Sequence, residues 1–99
     1  MAGHPLDIFE KIDPEFLKVV KNNNAFAFAD GALPKKVKLL IAMVFDASHG
    51  SVQGVKSLTQ KAMQSGATKE EVMEALKVAQ YMNGVGIAYT AANAFKDLF

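Results

Sequence analysis

Apolar side chains recur at helical spacing along nearly the whole chain, punctuated by short polar breaks. Leu6, Ile8, Phe9 and Ile12 fall on one face of a short helix within 5–12. Asp13-Pro14 then reads as a helix start, with Asp as cap and Pro at the first helical position. Phe16, Leu17 and Val20 continue as a buried stripe. Asn22-Asn23-Asn24 weakens this helix, because Asn side chains compete for backbone hydrogen bonds, so it either bends there or is carried through by packing. Phe26 and Phe28 have the spacing of one strand face, but the chain offers no partner strand. They are read as helical, with one of them a candidate contact between subunits.

The chain is organised around residues 35–68. Pro34 opens a helix with Val37, Leu40, Ile41 and Val44 on one stripe. Leu39, Ala42, Met43 and Phe45 make that helix apolar nearly all round, which predicts the central and most buried element. An elbow at His49-Gly50 ends it. Val52, Val55, Leu58, Thr59, Ala62 and Met63 share a face of the following helix, and Gly66 is its expected left-handed terminator. Thr68-Lys69-Glu70-Glu71 has the form of a capping box and opens a helix with Val72, Ala75, Leu76, Ala79 and Met82 inward. Asn83-Gly84-Val85-Gly86 breaks the pattern, and a last helix presents Ala88, Ala91, Ala92 and Phe95 on one side. The pattern predicts an all-α fold, a compact bundle of five to six helices.

Ninety-nine residues suggest one domain, 1–99, with residues 1–4 as a tail. A chain this short buries only about two-thirds of its surface. Yet 51% of it is hydrophobic, with seven Phe and five Met. That excess predicts a homo-oligomer that covers apolar surface, against the alternative of a well-packed monomer. The sequence contains no Cys, which removes disulfides, thiolate nucleophiles and Cys-bound metals. Eleven Lys, no Arg and a net charge of +1 give no basic stripe with stacking aromatics, so nucleic acid is not an expected partner. The longest apolar run, Leu39 to Phe45, is far short of the ~20 residues that span a bilayer, and 1–10 lacks signal-peptide character. No membrane partner and a cytoplasmic location are the resulting expectations.

An apolar helix, an elbow, a helix ending in Gly66-Ala67-Thr68, the Glu70-Glu71 pair, an Ala-Leu-x-x-Ala stretch from Ala75 to Ala79 and Gly84-Val85 together resemble the carboxymuconolactone decarboxylase family, which includes the alkylhydroperoxidase D proteins. The resemblance covers roughly residues 14–92. It implies a compact helical domain assembled as a trimer, hexamer or similar ring. Peroxidase-type relatives carry a Glu, a Cys-x-x-Cys pair and a His. Counted back from Gly66, these positions are Leu39 for the Glu, Ser51 and Gly54 for the two Cys, and Leu58 for the His. None has the required chemistry, since a thiol peroxidase needs a thiolate to attack peroxide.

The remaining candidates cluster at the elbow. His49 is a candidate general acid or base, with Asp46 three residues earlier to orient it. Ser51 and Gln53 are candidate contacts for a polar group of a ligand, and Tyr81 a candidate pocket residue. The competing reading makes His49 a helix-end residue and Asp46 and Ser51 ordinary turn and cap residues, and it is the stronger, because no nucleophile-elbow motif surrounds them. One His and one Asp do not make a metal site, and no cofactor is implied. Three functions follow. The first is a thiol-free protein acting on or binding a small organic acid or lactone near His49. The second is a non-catalytic oligomeric ligand-binding or scaffold protein. The third is an antioxidant of the family's peroxidase type, which the absence of Cys disfavours.

Overall fold

The structure, a computed structural model, describes residues 4–99. The described residues form a 3-10 turn, Pro5–Asp7, and six α-helices: α1 (Ile8–Ile12), α2 (Pro14–Phe28), α3 (Lys35–Ser48), α4 (Val52–Gln64), α5 (Lys69–Asn83) and α6 (Gly86–Phe95). There is no strand among them. The expected all-α class and helix count are thus observed. Contacts divide the chain into two compact units, one ending at Asp30 and the other Gly31–Phe99.

In the first unit, the tail expected at residues 1–4 falls partly outside the described residues. His4 is ordered: its Nδ1 accepts from the Leu6 N–H, and its own N–H donates to Asp7 Oδ2. Asp13 caps α2 as expected, accepting from the Phe16 N–H at 3.1 Å. The Phe9 and Phe16 rings meet edge to face at 5.1 Å and tie α1 to α2. The three Asn do not break α2, which runs on to Phe28. Phe26 is exposed and Phe28 half-buried.

The second unit holds the core. Met43 and Ala47 of α3, Val55 of α4, Val72 and Leu76 of α5, and Ile87, Ala91 and Ala94 of α6 form one buried cluster. α6 packs inward through Ile87 and the small Ala91 and Ala94, with Phe95 against the core; of the face expected inward, Ala91 and Phe95 are, whereas Ala88 and Ala92 are exposed. Helix punctuation follows the sequence signals. The Gly66 backbone sits at φ +102, and a six-residue bond from the Ala67 N–H to the Ala62 carbonyl (2.9 Å) closes α4 in a Schellman motif. Thr68 and Glu71 exchange both hydrogen bonds of the capping box that opens α5.

One expectation is corrected. The helix predicted to be buried all round, α3, is buried on one face only, through Leu39, Met43 and Ala47. Its other apolar stripe is only partly covered: Leu40 and Val44 pack against the core cluster, whereas Ile41 is exposed and Phe45 is 61% exposed. Apolar character on two faces of one helix calls for two sets of partners, and within the chain the second face is covered only in part, by α5. On that second face Lys36 Nζ pairs with Glu71 Oε2 at 2.9 Å, linking the first turns of α3 and α5. Both helices line one groove from there on, so they run in the same direction.

Candidate functional site

The elbow between α3 and α4 is built by backbone bonds. The His49 N–H donates to the Phe45 and Asp46 carbonyls, and the Ser51 N–H returns to the Asp46 carbonyl at 2.9 Å. Gly50 sits at φ +76, a left-handed conformation that costs glycine little, and lets α4 turn back against α3. Asp46 is half-buried, and its carboxylate occupies the space directly over Gly54, in the first turn of α4. The Ser51 hydroxyl borders the same space. The elbow therefore brings Asp46 and Ser51 together. His49 and Gln53 are exposed, and among the described residues no side-chain hydrogen bond or ion pair anchors the His49 ring. Tyr81 is 85% exposed, outside the groove described next.

That groove, of about 590 Å³, lies between α3 and α5. Its walls include Val37, Leu40 and Val44 from α3 and Val78 and Met82 from α5. Its volume falls in the range of small-molecule sites, about 300–1,000 Å³. Ser48 and Asn83 supply its polar side chains. Ser48 lies twelve residues beyond Lys36 and Asn83 twelve beyond Glu71, so from the shared ion pair both are about 18 Å along their helices. Both therefore lie toward the same end of the groove. The Ser48 hydroxyl donates to the Val44 carbonyl at 2.8 Å, leaving its oxygen lone pairs available. The sequence signal for this groove was the second apolar stripe of α3, which was read as core.

Electrostatics at the opposite end are those of the ion pair. The Lys36 ammonium, bonded to Glu71, holds the Glu71 carboxyl below the usual carboxylate range, and the Thr68 N–H adds to the effect. The two charges offset one another, and neither belongs to the groove lining.

The sequence profile of the carboxymuconolactone decarboxylase family matches residues 14–97. The chain belongs to that family. An uncharacterized protein of Methanocaldococcus jannaschii is 33% identical over 98 residues, covering 99% of this chain and 92% of that protein. An uncharacterized protein from the cox locus of Paracoccus denitrificans is 39% identical over 82 residues, covering 83% of this chain and 69% of that protein. The crystal structure of an apo carboxymuconolactone decarboxylase family protein from Legionella pneumophila superposes with a TM-score of 0.83 at 34% identity, covering 92% of this chain and 81% of that one.

In this family member, three of the four positions that the resemblance assigns to peroxidase chemistry are taken up by packing, and the fourth, Ser51, is exposed. Leu39 is buried, and Leu58 is half-buried against the core cluster. Gly54 has no side chain, and the Asp46 carboxylate fills the volume one would need.

No helix among the described residues is long and apolar enough to cross a membrane.

Proposed function

We propose that this chain is a non-catalytic, homo-oligomeric ligand-binding member of the carboxymuconolactone decarboxylase family, and that its ligand occupies the α3/α5 groove. The observation that carries the reading is the groove itself: an open cleft of about 590 Å³ with an almost wholly apolar lining, bordered by Ser48 and Asn83. A mostly apolar cleft with few polar groups is the usual form of a small-molecule site. The elbow has less to offer. His49 stands in solvent without a partner to orient it, and Asp46 is turned toward Gly54. With no Cys in the chain there is no thiolate to reduce a peroxide.

Self-assembly is supported by a different surface. Tyr81, Val85 and Tyr89 follow one another at four-residue intervals across the α5–α6 junction, and all three are exposed. Interface cores are enriched in Tyr, and exposed apolar and aromatic side chains of this kind on a small domain suit a contact surface.

Titration with Nile red, an uncharged dye that brightens in apolar surroundings, tests the reading, with light scattering on the same sample for mass. Saturable binding near one dye per chain to a multimer is the expected result. Absence of saturable binding contradicts the ligand site, and a monomeric mass contradicts the assembly.

A further inference from the structure

We propose that Asn83 is a site of spontaneous deamidation, and that the hydrogen bond from the Gly84 N–H to the Gln80 carbonyl sets how fast it reacts. Neither a ligand in the groove nor self-assembly is needed for the reaction.

The chemistry needs only two neighbouring residues and water. The Gly84 backbone nitrogen gives up its proton and bonds to Asn83 Cγ. The bond from Cγ to the side-chain nitrogen breaks, and ammonia leaves, taking up a proton. Water then opens the resulting cyclic imide at either carbonyl. One product is aspartate; the other is isoaspartate, in which the main chain runs through Cβ and Cγ. Nothing is oxidised or reduced. The chain has Asn22, Asn23, Asn24, Asn83 and Asn93, and of these only Asn83 precedes a glycine, which has no Cβ to hinder the attack. Asn83 and Gly84 are both exposed, so water reaches them. The other Asn lie within α2 and α6.

The fold sets the rate. Asn83 is the last residue of α5, and the Gly84 N–H donates to the Gln80 carbonyl at 2.8 Å. While that bond stands, the nitrogen keeps its proton and its N–H is directed back along the helix. Reaction waits for the last turn to open, and its rate follows the population of the opened turn. The products act on more than one side chain. A carboxylate at the end of α5 meets the partial negative charge of the helix C-terminus. The isoaspartate route adds a carbon to the main chain directly before Gly84, whose left-handed backbone, at φ +96, leads into α6. Leu76 and Ile87, on the two sides of that turn, both belong to the buried core.

The test is incubation of the full chain at mildly alkaline pH, folded and unfolded in guanidinium chloride, followed by intact mass and peptide mapping. The mass gain of an amide becoming an acid is expected in the peptide that holds Asn83, as aspartate and isoaspartate. It should appear about three- to tenfold faster in the unfolded chain, the worth of one backbone hydrogen bond. Gln80→Gly, at an exposed position, loosens the last turn and should speed the folded chain about two- to fivefold. Asn83→Gln should remove the gain. Isomerisation at Asp30-Gly31 leaves the mass unchanged, so it does not enter this readout. A folded chain that converts no more than Asn83→Gln does, or in which another Asn converts first, overturns the site. Equal rates in the folded and unfolded chain, or no response to Gln80→Gly, overturn the control by the Gly84 hydrogen bond. Converted protein should melt about 4–8 °C lower. An unchanged Tm overturns the effect on the α5–α6 turn.

Discussion

Asp46 and Gly54 exclude each other's side chains. A Cβ placed on Gly54 would overlap Asp46 Oδ2 and lie 2.8 Å from both Asp46 Cγ and Ser51 Oγ. The glycine in the first turn of α4 is thus the condition for the Asp46 carboxylate to lie where it does. Gly54→Ala should therefore destabilise the protein by about 1 kcal/mol, because overpacking outweighs the better helix propensity of Ala. In an Asp46→Ala background the cost of the same substitution should shrink markedly, because only the rotatable Ser51 hydroxyl is left in the space. Urea unfolding of the four proteins gives the coupling directly. Additive effects would show that the two residues do not compete for space.

Thr59 is fully buried on α4, and its hydroxyl has no hydrogen-bond partner. Valine has nearly the same shape and no hydroxyl to desolvate. Thr59→Val should raise stability by about 1 kcal/mol, seen as a Tm higher by about 4–8 °C. A loss of stability would show that the hydroxyl has a partner in solution.

The Glu71–Lys36 pair makes a pH prediction. The Glu71 carboxyl is held below its ordinary range, first by Lys36 and then by the Thr68 N–H. A lowered folded-state value means that the contribution to stability is fully present above the unfolded value, about 4.3, and is lost as pH falls through the folded one. The stability gap between the native chain and Glu71→Gln should therefore be largest near neutral pH and shrink below about pH 4. Chemical denaturation across that range measures it. A gap that stays constant would remove Glu71 ionisation from the account.

Much of the fold was legible because its signals are local. Asp13, Gly66 and the Thr68–Glu71 box act on backbone groups within a few residues, and each does what its residue type dictates. Which face of a helix is buried is a long-range matter. Val37 and Ile41 look as core-like as Leu39 and Met43, and only the placement of α4, α5 and α6 decides between them, with Leu40 and Val44 packed at the edge of the core. The site was hidden for the same reason. Chemistry-bearing residues at the elbow drew the sequence reading to His49, Asp46, Ser51 and Gln53. The groove is made from valine, leucine and methionine, which in sequence resemble any helix interior.

Assembly is tested separately from ligand binding. Tyr81 is 85% and Tyr89 71% exposed, so lysine at both positions leaves the core untouched. Tyr81→Lys with Tyr89→Lys should lower the mass measured by light scattering toward that of one chain, with helical content unchanged by circular dichroism. An unaltered mass would place the interface elsewhere, with exposed Phe26 the next surface to change.

Groove and elbow are separate surfaces, and a comparison of two variants tells which of them holds a ligand. Val78 is 67% exposed on the groove wall, and His49 is exposed at the elbow, so neither Val78→Asp nor His49→Ala should disturb folding. In a Nile red titration, Val78→Asp should lose about tenfold or more in affinity, because a carboxylate then stands in an uncharged wall. His49→Ala should bind as the native protein does. Lost binding in His49→Ala with full binding in Val78→Asp would contradict the account and return the site to the elbow.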